Sequence, residues 1–368
     1  MNFVCLREKF GKGLAAVQRV VSRNFTLPIL ESVLIESEKG RLRLTATNLE
    51  VAIRCWVPGK VEKEGAIALP AAFLGGVVQN LHTDKIQFEV KGTVMHVKSE
   101  DYSAVIKGQN AEDFPVVPPV ADGLKFAISA KVFGEALGQL LNIVTVSEAR
   151  PEISGVFMAF NKDAGFFVAT DSFRLGEKQV SVKDGVKKEG GFKVIIPLRA
   201  AQELLRLIEK EDEAVAVTLG ENQAMFSVGE VELTTRLIDG NYPDYEKVIP
   251  QEFMAETSFE RAQLMDRIRQ VSVFSGRTND IKLHFDSKEQ TISVAASSSE
   301  AGEGETKFSA VIKGETTDVT FNYRYLLDGL ENLGSETAVL RVNDASRPSL
   351  LKAPKDETYR YIVMPIRD

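Results

Sequence analysis

The stretch Pro197-Leu-Arg-Ala-Ala-Gln-Glu-Leu-Leu-Arg-Leu-Ile208 reads as a helix with proline near its first position. Proline suits that place because its missing N–H would have no intrahelical partner there. This stretch decides the fold because it recurs. Pro70-Ala-Ala-Phe-Leu-Gly-Gly-Val-Val-Gln-Asn-Leu81 precedes it, and Asn322-Tyr-Arg-Tyr-Leu-Leu-Asp-Gly-Leu-Glu-Asn-Leu333 follows. The starts at 70, 197 and 322 are 127 and 125 residues apart. A weak repeat of fixed order and spacing marks one unit used three times.

Working outward, a pair of strand-like runs lies before each of these helices. The pairs are Ser32 to Glu36 with Arg41 to Ala46, Gly155 to Phe160 with Gly165 to Ala169, and Ile281 to Phe285 with Thr291 to Ala295. Polar turns join them: Ser37 to Gly40, Asn161 to Ala164 and Asp286 to Gln290. Such turns between β-rich runs indicate antiparallel hairpins. Each unit opens with a helix-period segment: Leu6 to Arg23 (Phe10, Leu14, Val17, Val21), Lys131 to Val144, and Arg261 to Phe274. Further strands such as Lys85 to Val90 and Val94 to Lys98 close each unit.

The expected fold is α+β: three repeated domains, each with two helices on one side of antiparallel sheets. Proline-rich joints at Phe114 to Pro119 and Tyr242 to Pro250 put the domains at 1–120, 121–251 and 252–368.

The 368 residues are 44% hydrophobic and 26% charged, the composition of a globular protein with apolar material for several cores. No apolar run is long enough for a membrane span. The first ten residues mix charged with apolar side chains and lack a secretory apolar core, so a cytoplasmic location is expected. Cys5 and Cys55 share no metal or redox spacing and read as buried free thiols in a reducing compartment.

The net charge of −7 argues at first sight against a nucleic-acid partner. Its distribution changes that. The six helical segments, taken with their flanks, carry +6 together, which leaves −13 for the remainder. Amphipathic helices carry Lys and Arg on their wet faces in any case, so two readings stay open. The functional one is a basic helical face that meets phosphates, with an acidic remainder that repels stray nucleic acid.

No catalytic or metal pattern is present. His82, His96 and His284 share no ligand spacing, and Ala301 to Thr306 contains glycine but lacks the lysine of a phosphate loop. Nothing in the sequence brings Asp171 and Asp244 together as paired carboxylates. A non-enzymatic protein without metal or cofactor is expected.

Six segments carry a family resemblance: Thr26-Leu-Pro-Ile-Leu30, Ala46-Thr-Asn-Leu-Glu50, Ala111-Glu-Asp-Phe-Pro115, Val168-Ala-Thr-Asp-Ser-Phe-Arg-Leu175, Ile238-Asp-Gly-Asn-Tyr-Pro-Asp-Tyr245 and Val363-Met-Pro-Ile-Arg367. In this order and over the whole length, they resemble the bacterial DNA polymerase III β subunits, the replicative sliding clamps. The resemblance implies a head-to-tail homodimer that closes a ring around double-stranded DNA, with helices as the inner wall. It implies sliding without sequence preference and partners that include the polymerase III α subunit, the clamp loader and other proteins with clamp-binding motifs.

A peptide pocket is implied at Ile153, Gly155, Thr170, Ser172, Phe173, Arg174, Leu175, Pro243, Lys247, Val248, Ile362, Met364, Pro365, Ile366 and Arg367. The mixture of apolar side chains with arginine at the edge suits an apolar peptide anchor. Deleting Met364 to Asp368 is expected to abolish peptide binding and leave the fold intact. Two departures stand out. The family often has Gly-His where this chain has Ser172-Phe173, and Lys247 replaces an arginine, whose planar fork an ammonium cannot copy.

For DNA, the resemblance implies Arg23, Arg150, Arg199 and Arg277, and charge placement adds Lys12 and Arg19. For the ring joint it implies Ile106 against Val273 and Phe274. A three-repeat scaffold without DNA is the alternative, and an enzyme built from scattered carboxylates is a third reading.

Overall fold

The computed structural model describes residues 1–22, 26–38, 40–120, 123–161, 164–182, 191–208 and 214–367. Arg23, Lys39, the boundary at 121, Lys162, Asp163, Glu209, Lys210 and Asp368 therefore lie outside the described residues.

All six expected helices form among them. They are α1 (Arg7–Gln18), α2 (Ala71–Gln79), α3 (Ala130–Leu140), α4 (Leu198–Ile208), α5 (Arg261–Ser272) and α6 (Tyr323–Glu331). The expected ends were too generous. Pro70 is the N-cap of α2 rather than its first residue, and Pro197 closes a strand. Asn322 is a true cap for α6, its side chain accepting from the Arg324 N–H. Each unit opens with a strand, not a helix: Asn2–Leu6, Leu124–Ser129 and Ala255–Glu260. Shorter helices also temper the charge asymmetry. As folded, α1 and α5 carry +2 each, α4 +1, α6 −1 and the other two nothing, so the helices sum to +4.

The chain gathers into two compact units. The first consists mainly of Met1–Gly134 and Arg199–Leu237, the second mainly of Glu135–Ser181 and Ile238–Asp368.

The first unit holds a twelve-stranded antiparallel sheet. Its main path begins at the strand Ser103–Lys107, passes through Asn2–Leu6 and Val51–Lys63, and continues through Val231–Arg236 to Leu124–Ser129. The alternation in Asn2–Leu6 buries Phe3 and Cys5, and α1 buries Phe10, Gly13, Leu14 and Val17 on one face. The two patterns meet in an aromatic cluster. Phe88 lies 4.6 Å from Phe3 and 4.8 Å from Phe10 between ring centroids. Glycine is required at 13, because a Cβ there would stand 2.7 Å from a Val57 methyl.

The second unit holds a nine-stranded and a four-stranded antiparallel sheet. In the larger one, Tyr359–Val363 pairs with Arg174–Ser181, so that Arg174 faces Val363 and Leu175 faces Ile362. This register carries the chain end to the turn before Arg174. In the smaller one, Gly302–Ser309 is an end strand and Thr317–Asn322 the other. No helix of the described residues is long and apolar enough to cross a membrane.

Candidate functional site

The turn from Thr170 to Arg174 organises the site. The Thr170 hydroxyl donates to the Arg174 carbonyl at 2.7 Å and accepts from the Ser172 N–H at 3.1 Å. Asp171 Oδ1 accepts from the N–H groups of Phe173 and Arg174, both at 2.9 Å. This is the local side-chain bonding that Thr and Asp favour in turns. It holds Ser172 at φ +78°. The consequence is that Phe173 points outward, 60% exposed, while Arg174 turns inward, 8% exposed.

Arg174 is fully engaged. Nε donates to Asp171 at 3.0 Å, one terminal nitrogen to Asp328, and the other to the Asn142 carbonyl at 2.7 Å. Its guanidinium also lies 4.5 Å from the Tyr325 ring centre. Burial opposes the charge, but Tyr361, Asp328 and Asp171 outweigh it and hold the guanidinium above its ordinary pKa. Arg174 therefore ties the turn to the segment just after α3 and to α6 rather than presenting itself to a ligand.

The chain end closes the other side. Met364 N–H donates to the Phe173 carbonyl at 2.8 Å, and Ile366 N–H to the Thr320 carbonyl at 2.8 Å. Ile362 and Pro365 are buried, Met364 and Ile366 half-buried, and Arg367 exposed. Beneath them Leu175 and Ile362 join one apolar cluster with Phe157, Tyr245 and Ile249, against which Tyr242 packs. Val248, half-exposed at 43%, sits between Tyr245 and Ile249 in sequence. Pro243 is half-buried, and Lys247 is spent on Asp244 at 2.7 Å. Ile153 ends a short 3-10 turn and is buried, and Gly155 has no room for a Cβ against the Ile196 carbonyl.

Val248, Met364 and Ile366 thus carry apolar surface on segments next in sequence to this buried cluster, as does Phe173 on the turn. Tyr325 and Asp328, which brace it, were not found from sequence. They lie about 150 residues from the turn they serve, with no local pattern to connect them.

The residues expected to meet DNA lie on separate elements. Lys12 is exposed on α1 and bonded to Glu8 at 2.6 Å, and Arg19 is the exposed C-cap of α1. Arg199 is exposed on α4, and Arg277 is exposed beyond α5. Arg150 donates to the Ser172 hydroxyl at 2.8 Å and pairs with Glu152 at 3.2 Å, which puts it beside the turn from Thr170 to Arg174.

At the expected joint, Ile106 is buried in the strand Ser103–Lys107 and faces Met95. Val105 on the same strand and Phe73 on α2 are exposed apolar side chains that sequence reasoning missed. On the strand this follows the pleat, which sets exposed Val105 beside buried Ile106. Val273 is exposed, and Phe274 packs over Gly304, where a Cβ would stand 2.5 Å from its ring.

Comparison with known proteins covers the whole chain. Residues 1–118, 127–244 and 246–367 match the family models for the N-terminal, central and C-terminal domains of the DNA polymerase III beta subunit. The Beta sliding clamp of Synechococcus elongatus is 30% identical over 375 residues, covering all of this chain and 99% of the relative. The DNA polymerase sliding clamp of Bacillus subtilis superposes with a TM-score of 0.95 at 26% identity, over 100% of this chain and 99% of that one. A DnaN sliding clamp from Bartonella birtlesii, solved bound to griselimycin, gives a TM-score of 0.94 at 31% identity over the full length of both chains. With three domain models matched in order along its length, this chain belongs to the DNA polymerase III beta subunit family, the sliding clamps that act as processivity factors.

Proposed function

We propose that two copies of this chain close head-to-tail into a ring around duplex DNA and tether the replicative polymerase to it. Three domains, 1–120, 121–251 and 252–368, make up each half. The observation that carries this reading is the ordered match of three domain models from end to end. A three-repeat scaffold without DNA does not account for that match.

Two open sheet ends support the joint. Ser103–Lys107 ends the twelve-stranded sheet and Gly302–Ser309 ends the four-stranded one. An uncovered edge invites pairing with another chain. Exposed Phe73 and Val105 flank the first edge, and exposed Val273 lies with Phe274 by the second. Lys107 on one edge complements Glu303 and Glu305 on the other. Two different patches meeting in this way close a ring when the rotation fits.

Retention by enclosure needs only loose phosphate contacts, for which Lys12, Arg19, Arg23, Arg199 and Arg277 are assigned, with Arg150 at the rim. A net negative protein can therefore serve DNA. The groove around Phe173, Val248 and Met364 takes apolar peptide anchors of the polymerase III α subunit, the clamp loader and other clamp-binding proteins. The Bartonella relative's complex with griselimycin supports a ligand site on this fold. The chain itself performs no catalysis, needs no cofactor and works in the cytoplasm.

Sedimentation equilibrium tests the ring. A mass of about 81 kDa, twice the chain's 40.5 kDa, is expected. A monomer at every concentration would contradict it.

A further inference from the structure

The connection Phe114-Pro-Val-Val-Pro-Pro-Val120 is used neither by the proposed ring joint nor by the groove, and residues 115–120 form neither helix nor strand. Its conformation is nonetheless prescribed. Each proline fixes its own φ at about −65° and drives the residue before it to an extended backbone. Phe114, which precedes Pro115, stands at φ −75° and ψ 134°, and no residue of the segment has a positive φ. These are the values of a polyproline II helix, which turns once in three residues.

Exposure along the segment follows that period. Phe114 is buried and Val117 and Val120 are half-buried, whereas Val116 and Pro119 are exposed, as is Pro118. The inward stripe is anchored. Phe114 lies in a cluster with Ile29, Leu34 and Ala68, and the Val117 carbonyl accepts from the Arg54 guanidinium. Val120 fits against Gly220, where a Cβ would stand 3.0 Å from its methyl. The opposite stripe faces solvent, with Val116 89% exposed.

We infer that this segment is a docking ligand for a protein that reads polyproline II helices in an aromatic-lined groove. The ridge of Val116, Pro118 and Pro119 is the part that enters. Val116 and Pro119 stand one turn apart, about 9 Å, on the same side. Parallel aromatic rings cover such a ridge, and a chain already held in this form has little freedom to lose on binding. Charge narrows the partner. Glu112 and Asp113 are exposed immediately before the ridge, so the groove carries Lys or Arg at that end.

The test titrates the full-length protein into isotope-labelled WW and SH3 domains. One set has Lys or Arg beside the groove and the other has Asp or Glu there. In the basic set the groove aromatic resonances should shift, with a Kd on the order of 100 µM, and the acidic set should bind at least about fivefold more weakly. Val116→Asp should weaken binding at least about tenfold. Its melting temperature should not move, because that side chain lies almost wholly in solvent. Glu112→Lys combined with Asp113→Lys should reverse the order of the two sets.

Absence of shifts in both sets overturns the inference, and so does equal binding by the two. Binding that Val116→Asp leaves unchanged would reduce the segment to a stiff spacer. If Val116→Asp instead lowers the protein's own sedimenting mass, a second copy covers the ridge and the inference fails.

Discussion

Leu49 and Ser172 hold the same backbone conformation, at φ +77° and +78°, in turns built from the same hydrogen bonds. Thr47 donates to the Val51 carbonyl as Thr170 does to that of Arg174, and Asn48 accepts from two N–H groups as Asp171 does. Beyond each turn a distant strand donates to it: Arg236 to Glu50 at 3.0 Å, Met364 to Phe173 at 2.8 Å. The repeat thus preserves a turn in atomic detail where the sequence keeps only Ala-Thr and an Asn or Asp. Only the second copy has Arg174 and an aromatic ring upon it.

Both residues pay a left-handed cost of about 1–2 kcal/mol, which glycine avoids. Leu49→Gly should raise stability by up to about 1 kcal/mol, after allowing for the freer unfolded chain. Ser172→Gly should gain less, because it loses the bond from Arg150. Ser172→Val should destabilise. Urea titration measures all three, and a destabilised Leu49→Gly would count against the strain argument.

The chain end bears on how the groove should be probed. Removing 364–368 breaks two backbone bonds, each worth about 0.5–1.5 kcal/mol, and removes buried Pro365. The truncated protein should fold but melt several degrees lower, about 2–4 °C per kcal/mol for a body of this size. Met364→Ala is the cleaner variant: it should weaken peptide binding about tenfold with a smaller loss of stability. Paired thermal melts and fluorescence polarisation separate the two effects. An unshifted melt for the truncation would contradict the account of the tail.

The joint makes a steric prediction. Gly304→Val would drive its side chain into the Phe274 ring and displace it. Phe73→Asp would put a charge on the opposite edge. Each should weaken self-association at least tenfold by sedimentation velocity while the far-ultraviolet spectrum stays unchanged. Dimers of unaltered strength in both variants would place the joint elsewhere.

The two thiols should be inert. Burial pushes Cys5 up to about 12, and burial with Glu230 nearby pushes Cys55 up to about 11. At pH 8 native protein should react with iodoacetamide at least tenfold more slowly than protein unfolded in urea. Rapid native labelling would contradict their burial.

Much of this was legible because the determining patterns are local. The face of Phe10, Leu14 and Val17, the hairpins at Gly155–Phe160 and Ala164–Thr170, and the threefold spacing all lie within short windows. The opening strands were missed because five or six residues such as Asn2–Leu6 merge into the helical pattern that follows. At the site, the turn from Thr170 was readable, but its support was not. Tyr325 and Asp328 reach Arg174 only through the fold, and the pleat leaves Val105 exposed beside a buried Ile106. Alternation fixes that two neighbours face opposite ways; only the register with Met95 shows which one is buried.

Retention on DNA tests the central claim most directly. Protein loaded by its clamp loader onto a nicked circular plasmid should remain bound through gel filtration. It should be released once a single restriction cut provides an end, because enclosure rather than contact holds it. Equal loss from the intact and the cut circle would contradict the ring.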